Sequence, residues 1–197
     1  IKTKWPTVRL GEIANIKKGK SITSAELKQG DIKVVAGGQN YAFLHNESNC
    51  PENTITISAS GAYAGYVNFW EEPIFASDCA TVNCRDLTMQ RYVYNYLKYM
   101  QNAIYDLQKG QAQPHVYPAD LKEFLVPLPS GDIQKIIENK CSEVDKETER
   151  AIKEIECLKG SINDVVKNIK GKKYKLGLIA QFKNGLNYKK TNIGEAI

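Results

Sequence analysis

The chain has 197 residues and a mass of 22.1 kDa, with 42% hydrophobic and 25% charged residues and a formal net charge of +5. That composition is globular and excludes a disordered chain, and the absence of any 18-residue apolar run excludes a membrane span. Five scattered cysteines without a CxxC, and two histidines, exclude a disulfide framework or a thiol-rich zinc site and fit a reducing cytoplasm.

Taken in chain order, the first residues, IKTKWPTVRLG, have no apolar core behind them and do not read as a secretion signal. The start at Ile1 rather than Met is expected of a piece of a longer product or of a processed chain. Residues 1–131 read as a mixed α/β domain. Val8 to Ile16 is a short amphipathic element, helical from Leu10. Ile32 to Ala36 is strand-like and is followed by a Gly37-Gly38-Gln39-Asn40 turn. Asn53 to Ser58 alternates apolar and polar, as a strand does, and Ser60-Gly61 turns into a second strand candidate, Tyr63 to Phe69. Ile74-Phe75 and Thr81–Asn83 are further short strands. Arg91 to Leu107 is the clearest helix of this part, with Val93, Leu97, Met100, Ile104 and Leu107 on one face. A polar loop, Lys109 to His115, precedes a strand from Leu121 to Leu128. Short strands joined by polar loops suit a recognition surface.

Residues 132–170 read as one long helix that Ser130 or Asp132 can cap and Gly171 can end. Ile137, Cys141, Val144, Thr148, Ala151, Ile155, Leu158, Ile162, Val165 and Ile169 alternate by four and three, an a/d seam over more than four heptads. About 39 residues at 1.5 Å each span roughly 58 Å. A single apolar stripe of that length needs a second long helix, from another unit or another chain. Gly160 falls on the polar side and weakens the helix without interrupting the seam.

Residues 171–197 begin again. Val8 to Gly19 matches Tyr174 to Gly185 at an offset of 166 residues, with Leu10, Gly11, Ile13, Ala14, Lys17 and Gly19 recurring as Leu176, Gly177, Ile179, Ala180, Lys183 and Gly185. A recurrent short turn is the bland alternative; six identities in twelve ungapped positions favour a tandem domain duplication whose second copy is truncated at Ile197. The charge follows the repeat. Residues 1–20 and 171–197 each carry six basic side chains and one acid, whereas residues 21–131 carry seven and eleven, and residues 132–170 eight and nine. The mild overall excess permits a polyanion partner.

Nothing in the sequence points to catalysis, a cofactor or a metal. No GxGxxG, Walker or GxSxG pattern occurs, and His45 and His115 stand seventy residues apart with no ligand series. Cys79 beside Asp78 reads as a buried free thiol rather than a nucleophile. Glu71-Glu72 beside Pro73 reads as a solvated turn.

Several short motifs in fixed order carry a family resemblance: Trp5-Pro-x-Val-x-Leu-Gly11 with Gly19, Ile55 to Val67, the helix near Tyr92 to Tyr99, Gly110-x-x-x-Pro114, Phe124 to Pro129, and Gln134-Lys-Ile136 with the long helix. The chain resembles the specificity subunit of Type I restriction–modification enzymes over about residues 5–170, and the resemblance restarts at 174. It implies a non-catalytic, cytoplasmic subunit with two target recognition domains, each reading half of a split DNA sequence. It also implies long helices that pair antiparallel, and partners that comprise double-stranded DNA, adenine methyltransferase subunits and motor-nuclease restriction subunits. Only one recognition domain is complete here, so a half-subunit that dimerises through the long helix, a fragment, or the specificity part of a fused methyltransferase–nuclease all fit. The methyltransferase Asn/Asp-Pro-Pro-Phe/Tyr signature is absent from the chain.

Phosphate contacts fix register and base contacts specify. The candidates for the first task are Lys17, Lys18 and Lys20 around Gly19. For the second they are Gln39, Asn40 and Tyr41 after two glycines, and Ser58, Ser60, Tyr63 and Tyr66 flanking Gly61 and Gly65. The polar loop adds Lys109, Gln111, Gln113 and His115. Gln and Asn can pair bidentately with adenine. The Gly61 and Lys109–His115 loops rank first, because both resemble family loops at the DNA face. The helix-pairing candidates are Ile137, Val144, Ala151, Ile155, Leu158, Ile162, Val165 and Ile169. A coiled-coil assembly adaptor whose head binds protein is the competing reading; the amide-rich loops and basic ends favour DNA.

Overall fold

The computed structural model describes residues 5–169, 171 and 175. The second copy of the repeat, from residue 174 on, lies outside the described residues apart from Lys175. The chain divides into two units, residues 1–148 and 149–197.

Among the described residues the first unit contains nine strands in three sheets. β1 (Thr7–Arg9) pairs antiparallel with β9 (Leu125–Pro127), 118 residues later, with Val8 opposite Val126. β2 (Ala14–Lys18), β8 (Cys79–Cys84), β5 (Thr54–Ser58) and β6 (Val67–Trp70) form a four-stranded sheet in the order β2-β8-β5-β6, all antiparallel. β4 (Tyr41–His45), β3 (Ile32–Val35) and β7 (Ile74–Ala76) form the third, in which β3 runs antiparallel to β4 and parallel to β7. Against the central sheet lie α2 (Leu87–Tyr99) and α3 (Gln101–Tyr105), and their apolar face closes the core. Leu10, Ile55, Ile57, Val67, Val82, Val93, Leu97 and Ile104 are buried in one cluster with Leu121 and Val126. A smaller cluster of Val35, Trp70, Ile74, Ala76 and Cys79 ties the third sheet to the second.

Local chemistry fixes the start of α2. The Asp86 carboxylate accepts from the Met89 amide at 2.9 Å, an N-cap, and that bond holds its carboxyl below the usual range. Gln90, buried at 4% exposure, accepts from the Cys84 amide and donates to the Asn53 and Val82 carbonyls, so three backbone groups depend on one amide. The Tyr92 hydroxyl donates to the Pro127 carbonyl at 2.7 Å, and burial pushes its pKa up to about 12.

Several expectations are corrected. The element expected to be helical from Leu10 does turn there, but only for one turn, α1 (Leu10–Ile13), and Ala14 onward is strand β2. Its amphipathic spacing arises because Leu10 and Ile16 enter the same core from different elements. The strand expected over Tyr63 to Phe69 begins only at Val67; residues 61–65 form a turn, with Gly61 at φ 81° and Gly65 at φ 90°. The helix read as Arg91 to Leu107 begins earlier, at Leu87, and breaks at Met100 between α2 and α3. Leu121 to Leu128 is the end of a short helix, α4 (Pro118–Lys122), followed by β9. Pro at the first turn of α4 explains the start that an apolar pattern hides. β4 carries no strand signal in the sequence, because four of its five residues are exposed and give no alternation.

The long helix is α5, Gly131–Asn168, 38 residues without a break. Its first turns are anchored to the first unit. Gln134 is buried and donates to the Pro129 carbonyl at 2.9 Å, Ile137 packs on the core, and Arg91, stacked on Phe69, faces Glu138 at 4.0 Å. Ile137, expected in the helix-pairing seam, is partly buried against the head. Val144, Ala151, Ile155, Leu158, Ile162 and Val165 lie on the helix and are exposed, as is Ile169 one residue beyond its end. Ile152 and Val166 are exposed beside them and widen the stripe. No described helix is long and apolar enough to cross a membrane.

Candidate nucleic-acid interface

Strand register brings five element ends to one rim. Lys18 at the end of β2 faces Ala80 near the start of β8, and Ser58 at the end of β5 faces Cys79. Val35 at the end of β3 faces Ala76 at the end of β7. Loops that leave these ends are therefore neighbours, although they are up to sixty residues apart in sequence.

The backbone confirms this neighbourhood bond by bond. The Gly19 amide donates to the Cys79 carbonyl and the Lys20 amide to the Ala76 carbonyl, at 2.8 and 2.9 Å. A Cβ on Gly19 would stand 2.2 Å from the Ser77 carbonyl oxygen, so only glycine permits this approach. The Ser77 amide donates to the Val35 carbonyl and the Ala59 amide to the Asp78 carbonyl. The Gly61 amide donates to the Pro114 carbonyl at 3.1 Å, the Val116 amide to the Ala59 carbonyl at 2.9 Å, and Ser60 pairs with His115 as an isolated antiparallel bridge. Lys109 and His115 exchange both backbone bonds, which closes residues 110–114 into a tight loop. Gly110 at φ 98° lets that loop close, since a Cβ there would meet the Gln113 carbonyl oxygen at 2.6 Å.

The predicted residues fall into three groups. Lys17, Lys18, Lys20, Gln39, Asn40, Tyr41, Tyr63, Gln111 and Gln113 are exposed at or beside the rim. Tyr66, Lys109 and His115 are there but already engaged. Lys98 Nζ lies 4.6 Å from the Tyr66 ring centre and donates to its hydroxyl at 3.3 Å. The Lys109 ammonium meets Asp120 at 2.6 Å, and His115 stacks on Tyr117 with ring centres 6.0 Å apart. Ser58 points inward, and Ser60 is half-buried with its hydroxyl engaged. Ser58 is buried at 2% exposure, and its hydroxyl donates to the Gly38 carbonyl at 2.8 Å. In that position it fastens the Gly37–Asn40 turn to β5. The Ser60 hydroxyl donates to Asp78.

Three residues that support the loops were not visible in the sequence. Gln101 donates to the Gly65 carbonyl at 2.8 Å and accepts from the Val67 amide at 3.0 Å, and Gln108 donates to the Ala64 carbonyl at 2.7 Å. Asp78 lies at the centre of the rim. Their only sequence signal is polar residues at the margin of an apolar helix face and between two strands.

The rim offers ammonium, amide and hydroxyl groups, the set that pairs with phosphates and base edges. Burial pushes the Cys79 thiol up to about 12, which keeps it protonated and unreactive. His45 is buried and accepts from the Lys28 amide at 3.1 Å. Glu71 and Glu72 form surface ion pairs with Arg91 and Lys33, at 2.9 and 2.5 Å. Among the described residues no group of three or more His, Cys, Asp or Glu is placed to hold a metal ion.

The fold is that of a mixed α/β domain followed in the chain by a long helix. The family described as Type I restriction modification DNA specificity domain matches residues 2–157, and the chain belongs to it. Specificity domains are non-catalytic components of restriction–modification systems. No curated protein matches the chain. Among solved structures, the S subunit of a Type-I restriction-modification system from M. genitalium superposes with a TM-score of 0.69 at 24% identity, covering 79% of this chain and 43% of that one. A structure described by the complex assembly and conformational transition of the type I R-M system gives 0.65 at 17%, covering 84% and 44%. The HsdS subunit from Thermoanaerobacter tengcongensis gives 0.57 at 20%, covering 75% and 39%. At these identities the likeness is one of fold, and the chain spans less than half the length of each of these structures.

Proposed function

We propose that residues 1–131 read one half of a bipartite DNA sequence and that residues 132–170 act as a spacer and pairing helix. In this reading residues 171–197 open a second recognition unit. The observation that carries the reading is the convergence of the Lys17–Lys20, Gln39–Tyr41, Tyr63–Tyr66 and Lys109–His115 segments on one rim, in a chain of the DNA specificity family. Lysines at 17, 18 and 20 hold phosphates, and the amides of Gln39, Asn40, Gln111 and Gln113 meet base edges. The chain directs an adenine methyltransferase subunit and a motor-nuclease restriction subunit to the site. Its exposed aliphatic stripe pairs with the helix of a second specificity unit or of another copy. The five cysteines, all free, suit a cytoplasmic setting.

The head is close to neutral in charge, so a single head binds weakly and the assembled complex binds tightly. The test is an anisotropy titration of the full-length chain with its methyltransferase subunit, at several salt concentrations, on duplexes drawn from a randomised pool. Sequence-dependent, salt-sensitive binding is expected. Binding that ignores both sequence and salt would assign the head to protein contacts instead.

A further inference from the structure

Ser77 and Asp78 are the two-residue link between β7 and β8, and the loops of the rim rest on it. The Ser77 amide donates to the Val35 carbonyl at 2.8 Å, just before the Gly37–Asn40 turn. The Asp78 carbonyl accepts from the Ala59 amide at 3.1 Å, and its carboxylate Oδ2 accepts from the Ser60 hydroxyl. A Cβ on Gly37 would lie 3.1 Å from that same Oδ2 and 2.7 Å from the Ser60 carbonyl oxygen, so the turn sits directly against the pair. Ser60 then bridges His115, and Gly61 bonds Pro114. One carboxylate thus lies against two loops, residues 37–41 and 59–66, and the second of these is bonded through its backbone to the third, residues 109–115.

A negative charge on a surface that receives a polyanion weakens binding to every sequence alike. Its place at the junction of the loops therefore points away from a contact with phosphate. We propose that Asp78, acting through Ser60, is a positioning residue for base reading. It makes no contact with DNA. It holds the three loops in one relative geometry, so that amides on separate loops meet their base edges together, at the expense of overall affinity. Bidentate base contacts discriminate only while both bonds are in line, which makes discrimination sensitive to small loop displacements where phosphate binding is not. This inference rests on the DNA-reading function proposed above.

The test uses the full-length protein with its methyltransferase subunit. The preferred sequence is recovered from a randomised duplex pool, and binding to that duplex and to single-base variants is then measured for the parent and for S60A, D78A and D78N. An asparagine at 78 keeps an oxygen for Ser60 and removes the charge. S60A and D78A should each lower the preference for the selected site by roughly 5- to 100-fold, the worth of one good bidentate contact. The double variant should be no worse than D78A. D78N should keep the preference of the parent and bind all duplexes more tightly. S60A removes only one hydroxyl, and its melting curve reports whether the fold persists. Unchanged preference in S60A and D78A would overturn the positioning role, as would equal losses in D78N and D78A, which would make the charge itself responsible. A parent that recovers no sequence at all would overturn the DNA-reading function, a different and recognisable outcome.

Discussion

In residues 5–148 most aliphatic side chains close on one another; in residues 149–169 they face outward. Leu97, Val93, Ile104 and Ile57 are at most 1% exposed, while Ile152, Ile155, Leu158, Ile162, Val165 and Val166 are each half exposed or more. The same residue types stabilise the head locally and leave the helix dependent on something else. Each buried aliphatic side chain is worth about 1.5–3 kcal/mol, so covering the stripe supplies the stability that a lone helix lacks. The head carries its own buried core, whereas the apolar stripe of the helix is exposed.

The largest way to break that contrast is in the stripe. Replacing Ile155 and Leu158 with Asp should abolish association of the chain through its helix, because a buried unpaired charge costs several kcal/mol. Sedimentation velocity should show the loss, and the melting transition of the head should stay where it was. An unchanged association state would mean that the stripe is not a pairing surface.

The reverse experiment acts on the head. Leu97→Ala should lower head stability by about 2–5 kcal/mol in denaturant melts, with association unchanged. A shift in association would show that the two regions are not energetically separate.

The rim sharpens the contrast further. Gln111→Ala with Gln113→Ala should cut discrimination between matched and mismatched duplexes by about 1–3 kcal/mol. Lys17→Ala with Lys18→Ala should weaken all duplexes alike and lower the salt slope by about one per lost phosphate contact. Equal losses on matched and mismatched DNA for the glutamine pair would move the 110–114 loop from base reading to backbone positioning.

The smallest expected effect is at the cap of α2. Asp86→Ala should cost about 1 kcal/mol at neutral pH. The carboxyl of Asp86 is lowered in the folded state by the Met89 amide. Its contribution is therefore present above the unfolded pKa and is lost as pH falls through the lower folded pKa. Melts of parent and variant should converge as pH is lowered below the ordinary carboxylate range. A gap that persists in acid would assign the effect to helix propensity instead.

The sequence made some of this plain and hid the rest for a physical reason. The long helix was legible because its 3.5-residue period repeats over many turns, and β5 because NTITIS alternates. The loops around Gly61 and Gly110 were legible as loops from their glycines and prolines. What could not be read was non-local. The β1–β9 pair joins residues 118 apart, and the Leu10–Ile16 pattern looked helical because two different elements serve one core. The candidate site was half legible. Residue chemistry picked the loops, but only strand register shows that they meet, that Ser58 faces inward, and that Asp78 stands between them. The exposed face of β4 has no periodicity to betray it.

Pairing of β1 with β9 has one more consequence. The Leu128 amide donates to the Pro6 carbonyl at 2.8 Å, so the chain enters the head and leaves it for α5 side by side. Adjacent strands lie about 4.8 Å apart whatever is folded between them. To the helix that follows, the whole head is a single insertion at one point, and its internal length does not alter the span that the flanking chain must bridge. Neighbouring entry and exit points of this kind are where domains commonly tolerate insertion.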